Sequence, residues 1–168
     1  MEFFDKIRLD EWFYEADQNI KEQRYADAMQ TLESIVAESP EYGKAYNHLG
    51  WLYETKYYDY KKAEACYKKC LELEPEYTPV YLNLAVVLSG VRKWNELEAL
   101  LNKAIETPGV DQAAAFNEFG IMHEMKGEYE LAIKNYKTAI RMSLKNSKID
   151  AYRDAIDRCK VKMDVLKN

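Results

Sequence analysis

The sequence comes back into register with itself every 34 to 35 residues, four times over. A period of that length is one helix-turn-helix unit, which cannot bury its apolar face alone and is stable only stacked on its neighbours. In the first half of each unit a large aromatic recurs as Trp12, Tyr46, Tyr81 and Phe116. Four residues further on a small residue recurs as Ala16, Gly50, Ala85 and Gly120. A knob and a hole four apart lie on one helix face, so this half is a helix pressed closely against another.

The second half carries its own columns: Tyr25, Tyr60, Trp94 and Tyr129; Ala28, Ala63, Leu97 and Ala132; Leu32, Tyr67, Leu101 and Tyr136; Ile35, Cys70, Ala104 and Ala139. Steps of three, four and three make a helical stripe. Pro40, Pro75 and Pro108 follow these second helices, where a residue with fixed φ and no N–H stops one helix before the next begins. Helix pairs are therefore predicted at about 9–21 and 25–37, 43–56 and 60–73, 78–90 and 94–107, and 112–126 and 129–142. Ile149, Tyr152, Ile156, Cys159, Met163 and Leu166 then form a single apolar stripe on a last helix.

These columns resemble the tetratricopeptide repeat over roughly residues 9–144. The second repeat matches best, with Tyr46, Leu49, Gly50, Tyr53, Ala63, Tyr67 and Pro75; the fourth follows with Phe116, Phe119, Gly120, Gly127, Ala132, Tyr136 and Ala139. The first departs from the pattern, with Glu15 and Asn19 where others carry Leu49 and Tyr53; a polar outer face is what a terminal repeat needs. The resemblance implies an all-α, right-handed α-solenoid of about four helix pairs. It forms a single domain, with repeats at about 9–42, 43–77, 78–112 and 113–146 and a capping helix at about 147–166.

Composition narrows the function. The net charge of −5 is distributed as −7 over residues 1–42, −2 over 43–140 and +4 over 141–168. With no basic stripe to meet phosphates, a nucleic-acid partner is not expected. The first ten residues mix acids with apolar side chains, so neither a secretory signal nor a membrane span is expected, and a cytoplasmic protein is. Cys66, Cys70 and Cys159 lie within helical stripes. Cys70 shares its column with Ala104 and Ala139, which points to small core residues rather than metal ligands or a disulfide framework. His48 and His123 lie in different repeats, and no nucleophile stands beside a base, nor does a phosphate-cradling loop occur. No enzyme activity, cofactor or metal is expected.

In the resembled family the first helices line a concave groove. Its expected residues here are Phe13 with Asp17, Asn47 with Trp51, Leu82 with Val86, and Asn117 with Ile121, flanked by Tyr14, His48, Asn83 and Glu118. An apolar strip bearing amides suits a peptide segment of a partner protein, with Trp51 as a rigid anchor and the amides serving a peptide backbone. Family members that clamp the acidic carboxyl tails of chaperones use Lys, Asn and Arg at set positions. The corresponding residues here read Phe13, Asp17, His48, Pro79 and Asn83, or Asn47, Trp51, Asn83, Ala114 and Glu118, so a carboxylate clamp is not expected. Two alternatives stand beside the peptide-binding adaptor. One is self-association, through the oppositely charged ends and the apolar Phe3, Phe4 and Ile7; the other is a small secretion chaperone.

Overall fold

A computed structural model describes residues 3–166, with side chains from Ile7 onward. Among the described residues there are nine helices and no strand: α1 (Phe3–Lys21), α2 (Tyr25–Glu38), α3 (Gly43–Thr55), α4 (Tyr60–Leu73), α5 (Pro79–Gly90), α6 (Trp94–Glu106), α7 (Gln112–Met125), α8 (Tyr129–Met142) and α9 (Asn146–Leu166). The chain divides within α5 into two compact units, Met1–Val87 and Leu88–Asn168.

The four turns inside the helix pairs are built alike. Gln23, Tyr58, Arg92 and Gly127, two residues before each second helix, all have φ between 55° and 79°. That left-handed conformation costs an L-residue roughly 1 kcal/mol and glycine almost nothing, so Gly127 is the unstrained version of a turn that the other three repeats build at a cost. Asp59 and Asp111 cap α4 and α7, their carboxylates accepting from the backbone N–H of Lys62 and of Ala114 at 3.0 Å.

In the first unit α1 packs on α2, α2 on α3 and α3 on α4. Leu9, Ala16, Ala28, Leu32, Ile35, Ala45, Leu49 and Leu52 form its core. Helix α1 begins at Phe3, about two and a half turns before the first repeat column at Trp12, and Leu9 is 1% exposed. The expected polar outer face of the first repeat holds at Glu15, which is exposed, but not at Asn19, which is 3% exposed. Asn19 follows Leu9, Trp12 and Ala16 at three- and four-residue steps, so it continues the inward stripe of α1. Of the apolar N-terminal trio, Ile7 is exposed, while the side chains of Phe3 and Phe4 lie outside the described residues.

In the second unit α6 packs on α7, α7 on α8 and α8 on α9. Ala132 and Tyr136 of α8 meet Ala155, Ile156 and Cys159 of α9 in one cluster. The stripe expected on α9 is buried at Tyr152, Ile156 and Cys159 but has run out by Leu166, which is exposed.

The small-residue column has a specific partner. A Cβ on Gly50 would lie 2.6 Å from Tyr67 Cε1, and one on Gly120 would lie 2.4 Å from Tyr136 Cε1. Both tyrosine rings are fully buried. Each hydroxyl donates to a glutamate one turn beyond the glycine: Tyr67 to Glu54 at 2.7 Å and Tyr136 to Glu124 at 2.8 Å. Glycine, glutamate and tyrosine thus form a set that recurs in the second and fourth repeats. In the first repeat the same columns hold Ala16, Ile20 and Leu32, where a shorter side chain on the second helix leaves room for a methyl group on the first.

Candidate functional site

The first unit contains a half-open cavity of about 260 Å³ lined by Asp17 and Ile20 of α1, Asn47, His48 and Trp51 of α3, Tyr77 of the turn before α5, and Pro79 and Asn83 of α5. Helical spacing makes this convergence possible: residues three or four apart put two successive turns of each helix on one side. A second depression, about 300 Å³, is lined by the single stretch Arg92 to Glu96 and brings no distant parts of the chain together.

Amides form the floor. Asn47 is 5% exposed, and its side-chain oxygen accepts a 3.0 Å hydrogen bond from Asn83 Nδ2. That bond joins α3 to α5 and fixes the orientation of both amides. Trp51 is half-buried: it packs on the first-unit core and sits 6.3 Å from the Tyr25 ring, while the Lys56 ammonium lies 5.1 Å from its centroid. Its position is therefore set before anything binds, and what it offers to the cavity is a fixed apolar surface.

His48 stands between two acceptors. Its Nδ1 is 3.3 Å from the Lys44 carbonyl oxygen and its Nε2 is 3.7 Å from Asp17 Oδ1. Burial pushes its pKa below the ordinary histidine value, against the pull of that carbonyl and carboxylate. The Phe13 ring meets the imidazole edge-on at 4.5 Å, so Phe13 holds His48 in place without lining the cavity itself. Asp17 also pairs with Lys21 at 2.6 Å, one turn along α1. Burial raises the Tyr77 hydroxyl to about 12, with the carboxylates of Glu74 and Asp17 adding to the rise.

Of the residues expected on the groove, the structure brings together Asp17, Asn47, His48, Trp51 and Asn83. Leu82 is half-buried and Val86 exposed, and neither lines the cavity. Asn117 and Ile121 belong to the second unit. There Asn117 Nδ2 donates to Glu118 at 3.3 Å, burial raises the Glu118 carboxyl, and Ile121 packs against the α8–α9 cluster. The sequence reading missed Ile20 and Tyr77, and it named Pro79 only at a position of the carboxylate clamp. Tyr77 and Pro79 come from the entry to α5, ahead of the repeat's aromatic column, so a search confined to helix faces passes over them. Ile20 was legible as the one aliphatic residue in a column otherwise filled by Glu54, Ser89 and Glu124.

None of the cysteines lines this cavity. Burial pushes Cys66 and Cys159 up to about 11 and Cys70 to about 12, so each stays a thiol at neutral pH. Among the described residues no group of three or more metal-ligating side chains converges. In the folded protein at pH 8, Ellman's reagent is expected to react with the thiols at least tenfold more slowly than in urea. A fast-reacting thiol before denaturation would contradict the packing described.

No protein-family model and no curated protein sequence matches the chain. Solved structures do. MamA from Desulfovibrio magneticus RS-1, from its residue 41 onward, matches 93% of this chain and 85% of its own at a TM-score of 0.78 and 15% identity. MamA of AMB-1 matches 95% of this chain and 84% of its own at 0.69 and 21%. The first TPR of Spaghetti (RPAP3), solved bound to the HSP90 peptide SRMEEVD, matches 73% of this chain and 93% of its own at 0.62 and 18%. The chain has the tetratricopeptide-repeat fold. Its cavity therefore draws on the first helices of three successive tetratricopeptide repeats, and each turn with positive φ joins the two helices of one repeat. Among the described residues no helix is long and apolar enough to cross a membrane.

Proposed function

We propose that this chain is a protein-interaction scaffold that holds a peptide segment of a partner against the cavity of the first unit, and that it carries out no catalysis. The observation that carries the reading is the convergence of side chains from three first helices, with the Asn47–Asn83 amide pair and the fixed Trp51 side by side. Amides donate to and accept from a peptide backbone, and a preorganised indole buries a large apolar area with little entropy left to lose. The peptide seen on the RPAP3 repeat supports this use of the fold. The acidic sequence of that peptide does not transfer, because this cavity carries Asp17 where a carboxylate-binding groove needs a cation.

Replacing Trp51 with Ala is expected to weaken partner binding by about 2 kcal/mol, roughly 30-fold in Kd. Because Trp51 also packs on the core, the Asn83→Ala variant serves as a second probe that leaves the indole in place. The measurement is affinity capture from an extract of the source organism with the wild type and both variants, each checked by circular dichroism. Proteins retained by the wild type and lost by both folded variants identify the partner; identical retention by all three moves binding to another surface.

A further inference from the structure

The charge pattern of the cavity says what sort of segment fits it. Among its eight lining residues the formally charged side chain is Asp17, and His48, the one basic residue, is kept towards its neutral form by burial. Tyr77, across the cavity, feels the carboxylates of both Asp17 and Glu74. The segment that supplies Asp17 and Ile20, residues 1–42, has a net charge of −7 in sequence. Lys21 is engaged on Asp17 and Lys56 lies over the Tyr25 and Trp51 rings, while Lys44 meets His48 through its backbone carbonyl. The Asp17–Lys21 pair leaves the two side chains 33% and 61% exposed, so it is a weak surface pair that an incoming cation can share or replace. An incoming carboxylate would instead be desolvated beside Asp17.

The remaining lining is apolar or aromatic: Ile20, Trp51, Tyr77 and Pro79. Such walls accept an aliphatic or aromatic side chain, and the face of an indole also attracts a cation. We infer that the bound segment is cationic and apolar, setting a Lys or Arg on Asp17 and a neighbouring aliphatic or aromatic side chain against Ile20, Trp51 and Pro79. This rests on the cavity being a peptide site, and it specifies the peptide: opposite in charge to the acidic sequence seen on the RPAP3 repeat.

The test is selection of a random phage-displayed dodecapeptide library on the full chain, followed by fluorescence anisotropy of the best synthetic peptide against wild type, Asp17→Asn and Trp51→Ala. Asp17→Asn is isosteric at a partly exposed site, so it leaves the fold intact. Enriched peptides are expected to carry at least threefold more Lys and Arg than the naive library, to be depleted in Asp and Glu, and to lose about tenfold in affinity on Asp17→Asn. Acidic or charge-neutral peptides that still depend on Trp51 would overturn the cationic assignment and leave the cavity as a peptide site. Basic peptides indifferent to Asp17→Asn would overturn Asp17 as the reader of charge. No peptide sensitive to either variant would remove both readings. Self-association of the wild type, abolished by Asp17→Asn in sedimentation runs, would replace the partner peptide with a second copy of this chain and overturn the inference in that way.

Discussion

Gly50→Ala is expected to destabilise the first unit by about 2 kcal/mol, although the same change in an exposed helix would stabilise by about 1 kcal/mol. The added methyl group would lie 2.6 and 2.7 Å from two ring carbons of Tyr67. That ring cannot swing aside: it is fully buried, and its hydroxyl is tied to Glu54 at 2.7 Å. Overpacking of this kind costs typically about 1–3 kcal/mol, and a rigid aromatic ring places it at the upper end. The first repeat shows the remedy, since Ala16 there stands with Leu32 in the tyrosine column. Tyr67→Leu alone leaves a void beside Gly50, which the methyl group of Gly50→Ala helps to fill, so the pair matches Ala16 and Leu32 of the first repeat. The double variant is expected to be at least 1 kcal/mol more stable than the sum of the single losses, as measured by urea denaturation in a double-mutant cycle. Gly90→Ala is the control: its Cβ would meet nothing within 4 Å, and the change is expected to be neutral or to stabilise by up to about 1 kcal/mol. Strictly additive losses at Gly50 and Tyr67 would mean that the steric complementarity between these columns does not govern stability.

That alternation explains what the sequence disclosed and what it hid. Columns of one residue class, such as Ala28, Ala63 and Ala132, reveal the period and the helices, because close packing of two helices admits few residue types at a given level. Pairing between columns is harder to see. Glycine goes with tyrosine and glutamate in repeats two and four, but each column read alone is only "small", "large" or "polar". Glu54 and Glu124 therefore pass for solvated surface charge, although their carboxylates receive buried tyrosine hydroxyls. The cavity was half legible for a related reason. Helical spacing identifies which residues of α1, α3 and α5 share a face, and it found Asp17, Asn47, His48, Trp51 and Asn83. It carries no information about the path of the chain between repeats, which is what delivers Tyr77. Nor does it separate a residue that lines a cavity from one such as Phe13, which stands behind the lining and holds His48. Asn19 misled for the opposite reason: polarity was read as exposure, whereas its step from Ala16 puts it on the buried stripe.

Glu124 ties the last helix down, and its replacement by Gln should loosen α9 more than any other isosteric change in the second unit. Glu124 is only 8% exposed, and its carboxylate accepts hydrogen bonds from Tyr136, Arg158 and Lys162. Tyr136 of α8 donates to Oε2 at 2.8 Å, Arg158 of α9 binds both oxygens at 2.7 Å, and Lys162, a turn further along α9, binds Oε1 at 2.7 Å. Burial alone would raise the carboxyl; Arg158, Lys162 and Tyr136 outweigh it and hold it at about 2, below its ordinary 4.5. A depressed folded-state value gives stability that is complete above about pH 4.5 and is lost as the pH falls towards 2. The shift corresponds to roughly 3 kcal/mol at 1.36 kcal/mol per unit; with Arg158 51% exposed, solvent screening reduces this to about 2 kcal/mol. Gln keeps the shape and an acceptor for Tyr136 but cannot hold two cations. At pH 7, hydrogen exchange of the α9 amides is expected to be about 30-fold faster in Glu124→Gln than in wild type, and the difference should shrink steadily between pH 5 and pH 2. Glu54→Gln provides the contrast. Glu54 occupies the same column and receives the hydroxyl of Tyr67, yet it makes no ion pair among the described residues, so its replacement is expected to cost less at pH 7 than that of Glu124. Equal α9 protection in wild type and Glu124→Gln at pH 7 would assign the docking of α9 to its apolar contacts alone. Those contacts are few: the buried face ends at Cys159, and Val161, Val165 and Leu166 beyond it are exposed. With so little apolar area in its last two turns, α9 is expected to rely on the carboxylate of Glu124 to stay folded against α8.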